Sequence, residues 1–238
     1  MTDSKPLSGK LAVVTGASRG IGAATAEALA AAGAHVILVA RTSGALEEVE
    51  QGIHDSGGSA TIAPLDLTDG ENIGKLAVAV AERWEKLDIL VLNAAMLGSL
   101  TPVQDIDPKE YSRLLSLNLL ANQALIAAFD PLLKKADRAD VVALTSSVGA
   151  EPRAFWGAYG SSKAALETLL GAYADETAYL GRIRVHVIDP GATRTRMRAL
   201  AFPGEEPESL KTPDVVAEAI VERLAADGPA VEKVRVEA

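Results

Sequence analysis

The chain contains no cysteine. That absence excludes disulfide cross-links, thiolate metal sites, cysteine nucleophiles and cysteine-ligated clusters, and it is compatible with a reducing cytoplasm. Histidine is scarce as well. His35, His54 and His186 are scattered, and no two stand at a metal-ligand spacing such as i, i+4. No metal site is expected. Basic residues are outnumbered, with 23 Lys and Arg against 32 Asp and Glu, for a formal charge of −9. No overall positive field exists to bind nucleic-acid phosphates. No apolar run reaches the ~18 residues of a membrane span. The stretch Met1–Lys10 lacks the hydrophobic region of a signal peptide. A cytoplasmic protein is expected.

What remains is ordinary globular composition, 48% hydrophobic and 23% charged over 238 residues. With no repeat or linker-like shift, one domain over 1–238 is expected, with Met1–Ser8 as a loose tail. Short β-branched runs alternate with longer Ala/Leu/Glu-rich stretches. The runs are Leu11–Thr15, His35–Ala40, Ala60–Leu65, Asp88–Leu92, Asp140–Thr145, Ile183–Ile188 and, less clearly, Val231–Val236. Most are apolar at consecutive positions, which suits strands buried on both faces of a parallel sheet.

Helix signals fill the gaps. Ile21–Ala32 stops at Gly33, and Thr68 with Glu71 reads as a capping box opening a helix towards Lys86. Asp107-Pro108-Lys109-Glu110 offers an N-cap and a first-turn proline for a helix running to about Phe129. A long helical pattern covers Ala158–Leu180 and stops at Gly181, and Thr212-Pro213-Asp214 opens a last helix to about Ala226. Ala201–Lys211, with two prolines and three glutamates, reads as a mobile loop. The alternation β-α, repeated six times and closed by a strand, is the pattern of a doubly wound α/β sheet.

The first strand runs into Gly16-Ala17-Ser18-Arg19-Gly20-Ile21-Gly22 and then a helix. Glycines there permit a tight turn and close approach of backbone to a phosphate, and the helix start supplies free N–H groups. Three residues separate the first two glycines, so this is not the G-x-G-x-x-G fingerprint. The second strand ends in Ala40-Arg41-Thr42-Ser43, without the acid that would select NAD. Arg41 and Arg19 suit a 2′-phosphate, which favours NADP(H) over NAD(H); the competing reading is two solvated surface charges. Asp66 ends the third strand and reads either as an adenine contact or as a helix-entry residue.

Tyr159 and Lys163 stand four apart in the helix Ala158–Leu180, hence on one face. A nearby ammonium favours phenolate, so the pair could exchange a proton near neutral pH, as carbonyl–alcohol chemistry requires. Ser146 lies at the C-terminal edge of the fifth strand, where ligands bind in open α/β sheets, and its hydroxyl could bond a carbonyl oxygen. Ser147 competes for that role, and a cap or turn is the alternative for either serine.

These residues together carry a resemblance. Thr15–Gly22, Asp66, Asn93-Ala94, Asn118, Ser146, Tyr159-Gly160-Ser161-Ser162-Lys163 and Pro190-Gly191 followed by Thr195 occur in the order found in the short-chain dehydrogenase/reductase family. The chain resembles the form with a TGxxxGxG cofactor turn and a YxxxK active site. That resemblance implies a Rossmann-type, seven-stranded parallel sheet in the order 3-2-1-4-5-6-7. It implies an oxidoreductase passing hydride between a nicotinamide and a carbonyl or secondary alcohol. Tyr159 would be the general acid/base, with Lys163 lowering its pKa and bonding the nicotinamide ribose. Ser146 would position the carbonyl, and Asn118 would hold a water linking Lys163 to solvent. The cofactor would rest on Gly16, Ser18, Arg19, Gly20, Ile21 and Gly22. Arg41, Asp66, Leu67, Asn93 and Ala94 would meet its adenosine side, and Pro190, Gly191, Thr193 and Thr195 its nicotinamide half.

Two departures from the family pattern stand out. Leu92-Asn93-Ala94-Ala95 replaces a common Asn-Asn-Ala-Gly, and the chain closes on Val234-Arg235-Val236-Glu237-Ala238 rather than a Gly-rich segment. The expected assembly is therefore open between homodimer, through the helices Asp107–Phe129 and Ala158–Leu180, and homotetramer. The partner is a small carbonyl or alcohol, with pocket walls expected from Met96–Leu100, Val148–Trp156 and a substrate loop, Thr193–Lys211. Within these, Phe155, Trp156 and Met197 read as pocket lining or as core. Arg194, Arg196 and Arg198 read as a lure for an anionic substrate or cofactor phosphates, or as a solvated face. His35, His186 and Trp84 read as structural. Two other functions remain compatible with the fold: a cofactor-binding regulator, and a non-redox enzyme such as an epimerase using the same site.

Overall fold

The computed structural model describes residues 5–237. Its strands are β1 (Leu11–Thr15), β2 (His35–Ala40), β3 (Ser59–Pro64), β4 (Ile89–Leu92), β5 (Ala139–Leu144), β6 (Ile183–Asp189) and β7 (Val231–Arg235). They pair in parallel as one sheet in the order 3-2-1-4-5-6-7. Between them run α1 (Gly20–Ala31), α2 (Ser43–Asp55), α3 (Gly70–Arg83), α4 (Pro108–Leu115), α5 (Ala121–Leu133), α6 (Ser147–Ala150), α7 (Gly157–Thr177), α8 (Arg196–Ala201) and α9 (Pro213–Ala225).

The consecutive apolar runs make sense because each strand except the edge strand β7 feeds two cores. Successive side chains point to opposite faces. Leu11 and Val13 enter the layer with Phe129 of α5 and Leu166 and Leu170 of α7. Ala12 and Val14 enter the other, with Leu29 of α1, Leu46 of α2 and Ile220 of α9. Phe129 is fully buried and contributes about 2–3 kcal/mol through its burial. Leu7 also belongs to this second core, and its N–H donates to the Ala32 carbonyl at 2.9 Å. The expected loose tail is thus corrected for Lys5–Ser8, which the burial of Leu7 anchors to the domain. The rest of that expectation, residues 1–4, lies outside the described residues.

Buried polar groups fasten the N-terminal halves of the strands. Asp88 accepts the Leu11 N–H at 3.0 Å and the Lys10 ammonium at 2.8 Å. Asp140 accepts Arg184 Nε and meets His186 Nε2, each at 2.7 Å. His35 sits between the Ser59 and Thr61 hydroxyls, and Trp84 stacks near it with ring centroids 5.3 Å apart. The structural reading of His35, His186 and Trp84 holds.

Two helix expectations need correction. The cap of α3 is Asp69, whose carboxylate accepts the Glu71 N–H at 3.0 Å. Thr68 is unavailable because its N–H and hydroxyl both donate to Asp66. The helix expected from Asp107 to Phe129 starts as expected, with Asp107 capping the Lys109 N–H and Pro108 in the first turn. It is then broken into α4 and α5 by a π-helical turn at Ser116–Leu120.

At the centre of the sheet the chain leaves β1 towards β2 and β3, then returns to lay β4 on the other side of β1. Such a reversal opens a crevice above the C-terminal ends of the two strands.

Candidate active site

That crevice is a cleft of about 1200 Å³. At one end it is floored by the turn between β1 and α1. Gly16 and Gly20 line it with φ of +66° and +57°, left-handed values that favour glycine. The N-cap of α1, Arg19, makes no side-chain cap bond, and the first turn carries no acid. The first N–H groups of α1 therefore meet no side-chain acceptor from their own cap, which suits an anion. Arg19 and Arg41 both line this end and are exposed. Asp66 lines it too, but its carboxylate is held by the Thr68 N–H at 2.9 Å and hydroxyl at 2.8 Å. Those bonds, with Arg41 nearby, hold it below the usual carboxylate range.

At the other end stand Tyr159 and Lys163, one turn apart at the start of α7 and both buried. The Lys163 ammonium donates to the Leu144 carbonyl at 2.7 Å and lies 5.7 Å from the Tyr159 ring centre. Trp156 meets the Tyr159 ring edge-on at 6.0 Å, inside a small apolar cluster with Leu97, Val148 and Met197. The first turn of α7 lies hard against α6, where a Cβ at Gly160 would fall 2.7 Å from the Val148 carbonyl. Ser146 opens α6 in extended conformation with no side-chain cap bond, so the capping alternative is removed and its hydroxyl stays uncommitted to the helix.

Burial raises the Tyr159 phenol above its ordinary value, and the Asp189 charge adds to the effect. Burial lowers Lys163 to about 8, with Glu167 opposing. The Lys163 ammonium is committed to the Leu144 carbonyl.

A model of the family described as short chain dehydrogenase matches residues 10–206. The chain belongs to that family. Among its relatives, the uncharacterized oxidoreductase YciK of Escherichia coli K12 is 40% identical over 210 residues, 87% of this chain and 82% of that protein. A short chain dehydrogenase of E. coli CFT073, solved in complex with NADPH, superposes with a TM-score of 0.93 at 36% identity, covering 99% of this chain and all of that one. One from Shigella flexneri 2a, complexed with NADP, gives 0.92 at 36% identity over 98% and 99% of the two chains.

In this short chain dehydrogenase most residues singled out in the sequence do meet in one cleft. Ser18, Ile21, Leu67, Ala94, Pro190 and Thr195 line it alongside those already described. Others stand behind it. A Cβ on Gly22 would lie 2.2 Å from the Gly16 carbonyl, so this glycine lets the turn fold on itself rather than meeting a ligand. Gly191 donates its N–H to Asp189 at 2.9 Å, and Thr193 its hydroxyl to Pro190 at 2.9 Å. Asn93 lines the cleft but gives one amide hydrogen to the Thr15 carbonyl at 2.8 Å, clamping β4 to the glycine turn. Asn118 is fully buried in the π-helical turn, where its amide donates to the Met96 carbonyl and Ser162 hydroxyl and accepts the Met96 N–H. With both amide hydrogens spent on protein, its side chain ties the β4 loop to α7 and has none left to donate to a water.

The wall residues differ in part from expectation. Met96–Leu100 lines the cleft, but Val148–Trp156 does not; Val148 and Trp156 pack behind it, and Phe155 is exposed with φ +73°. Glu110 and Leu117 line it and were missed. In the segment Thr193–Lys211, Arg194 and Arg196 line the cleft. Arg198 is instead paired with Glu205 through two bonds of 2.6 Å and stacked on Phe202. Ala201–Lys211, expected as a mobile loop, carries a 3₁₀ turn at Pro207–Ser209, and Thr193 bridges Lys211. Among the described residues no cluster of potential metal ligands occurs, and no helix is long and apolar enough to cross a membrane.

Proposed function

We propose that this short chain dehydrogenase binds NADP(H) and interconverts a carbonyl compound with its secondary alcohol, Tyr159 serving as general acid/base. The observation that carries the reading is the two-ended cleft. Arg19 and Arg41 stand at one end, the Tyr159–Lys163 pair at the other, and the open start of α1 lies along the floor. A dinucleotide fits these groups. Left-handed Gly16 and Gly20 admit backbone close to a pyrophosphate, and two planar guanidinium groups suit a 2′-phosphate where an acid would select the plain ribose. The two relatives solved with NADP or NADPH support the same choice.

When bound, the nicotinamide supplies or accepts the hydride. The chain's own residues manage the proton and the oxygen. A neutral Tyr159 donates its phenolic proton to the carbonyl oxygen as that oxygen becomes an alkoxide, which suits the reductive direction. Ser146, free of capping duty, offers a hydroxyl to the same oxygen. Lys163 places positive charge one turn from the phenol and stabilises it after proton loss. Leu97, Leu100, Met197 and Leu200 give the substrate end an apolar wall that excludes water.

The test begins with thermal shift of the protein titrated with NADPH and NADH, since ligand binding stabilises the native state by mass action. Preferential stabilisation by NADPH, lost in Arg41→Ala, is expected. NADPH consumption is then followed over a panel of ketones, aldehydes and quinones. Tyr159→Phe should keep NADPH binding and lose at least ~100-fold in turnover. Stabilisation by neither nucleotide, or full turnover by Tyr159→Phe, overturns the reading.

A further inference from the structure

One turn beyond Lys163 on α7 lies a carboxylate that the reaction does not obviously need. Glu167 is mostly buried, its side chain 17% exposed. Both its oxygens are engaged by other elements. Oε1 accepts the hydroxyl of Thr145, the residue that follows β5, lines the cleft and adjoins Ser146. Oε2 lies 2.5 Å from the ammonium of Lys233, in the middle of the edge strand β7. The backbone of α6 also presses on this spot. A Cβ at Gly149 would fall 3.2 Å from Glu167 Oε1 and 3.1 Å from Lys163 Cβ. The end of β5, α6, α7 and β7 thus converge on one carboxylate, one helical turn from the buried Lys163. β7 pairs with β6 through its backbone from Val231 to Arg235, so Lys233 is not required to keep the strand in the sheet.

We propose that Glu167 is a positioning residue of the active site, and that through Lys233 it makes β7 an electrostatic part of that site. The inference rests on reading Tyr159 and Lys163 as the proton-transfer pair. Lys163 has one backbone acceptor, Leu144, and is otherwise desolvated. Glu167 is the negative charge that favours its ammonium form, opposing burial. Thr145 aims that carboxylate, and by the same bond fixes the strand end from which Ser146 projects. Lys233 works in the opposite sense, since a cation on Glu167 weakens what its carboxylate does for Lys163. The other charged or titratable groups around the pair are few. Tyr159 shares α7; Asp189 closes β6, acts on Tyr159 and faces Arg235 of β7 at 3.6 Å; Lys211 lies near Asp189 and Arg235. None of these touches Glu167, so the effects of Glu167 and Lys233 can be separated from theirs.

The two partners make opposite predictions, which a merely structural role does not. The Lys163 ammonium is followed through the Cε resonance of ¹³C-lysine-labelled protein, assigned by its loss in Lys163→Gln. In Glu167→Gln its titration should move to lower pH by about one unit, and in Lys233→Met to higher pH by about half a unit. Lys233 is half-exposed, so its variant folds even if Glu167→Gln is destabilised. No movement in Lys233→Met, or movement of both variants in one direction, overturns the proposal. Turnover of the panel substrate by Tyr159→Phe separates the two levels. If that variant is inactive and the Lys163 titrations stay put, this inference alone falls. If it is active, the reading of the site falls and this inference with it.

Discussion

Replacing Gly22 by alanine tests the claim that the glycine turn is a self-contained steric device. The added methyl would lie 2.2 Å from the Gly16 carbonyl oxygen, 2.4 Å from Asn93 Nδ2 and 2.8 Å from the Gly16 carbonyl carbon. Two of these neighbours are backbone, and the third is an amide held by the Thr15 carbonyl. None is the free end of a flexible chain. Restoring van der Waals contact needs a displacement of about 1 Å in the turn itself, at the upper end of the overpacking range, about 3 kcal/mol. For a chain of this size that corresponds to a fall in Tm of roughly 6–12 °C. Because Gly16 and Asn93 line the cleft, NADPH affinity should drop about tenfold or more as the turn opens. Gly74→Ala is the control. It sits inside α3 with nothing within 4 Å of its added methyl, so it should stabilise by up to about 1 kcal/mol and leave NADPH binding alone. Differential scanning fluorimetry and nucleotide titration read both variants. A Gly22→Ala protein with wild-type Tm and wild-type affinity would refute the steric argument.

Three further outcomes follow from other parts of the molecule. Lys163 titrates near 8 when folded and at its ordinary 10.5 when unfolded, so between those values the unfolded chain holds the extra proton. Stability should therefore rise with pH through that window, by at most about 3 kcal/mol, and Lys163→Met should lack that rise in denaturant titrations. Phe155 is a bulky residue held at φ +73° with its side chain half exposed, so Phe155→Gly should raise stability by about 1 kcal/mol in chemical denaturation; a loss would refute the strain argument. Asp140→Ala leaves the buried Arg184 guanidinium without its carboxylate and should cost about 3–5 kcal/mol. Because Asp140 lies at the opposite end of the sheet from the cleft, kcat measured well below Tm should be unchanged.

Much of this architecture could be read from the chain because its signals are redundant. Six apolar runs, β1 to β6, feed two cores and so need apolar residues at successive positions, and the glycine turn, Tyr159 and Lys163 fall at fixed places on that frame. What could not be read depends on partners distant in the sequence. Thr68 has the chemistry of a cap, but Asp66 claims it and Asp69 takes the role. Leu7 is an isolated apolar residue whose burial depends on α1 and its neighbours. The π-helical turn at Ser116–Leu120 has no compositional mark, yet it is what buries Asn118 against Met96 and Ser162. The raised phenol pKa of Tyr159 was missed for a similar reason. Spacing along a helix locates an ammonium near a phenol, but how deeply both are buried is decided by the whole fold.

The clamp from Asn93 onto the Thr15 carbonyl has a kinetic meaning. The glycine turn occupies residues 15–22, a local motif by sequence, but the amide that holds it arrives from 78 positions further along the chain. Contacts of such long range form slowly because a large loop must close before they are rewarded. The turn should therefore become competent only once β4 has docked beside β1, a step that closes the long loop carrying β2 and β3. Nucleotide binding during refolding would then lag behind the appearance of helical structure, and the lag time would be a clock for the central crossover of the sheet.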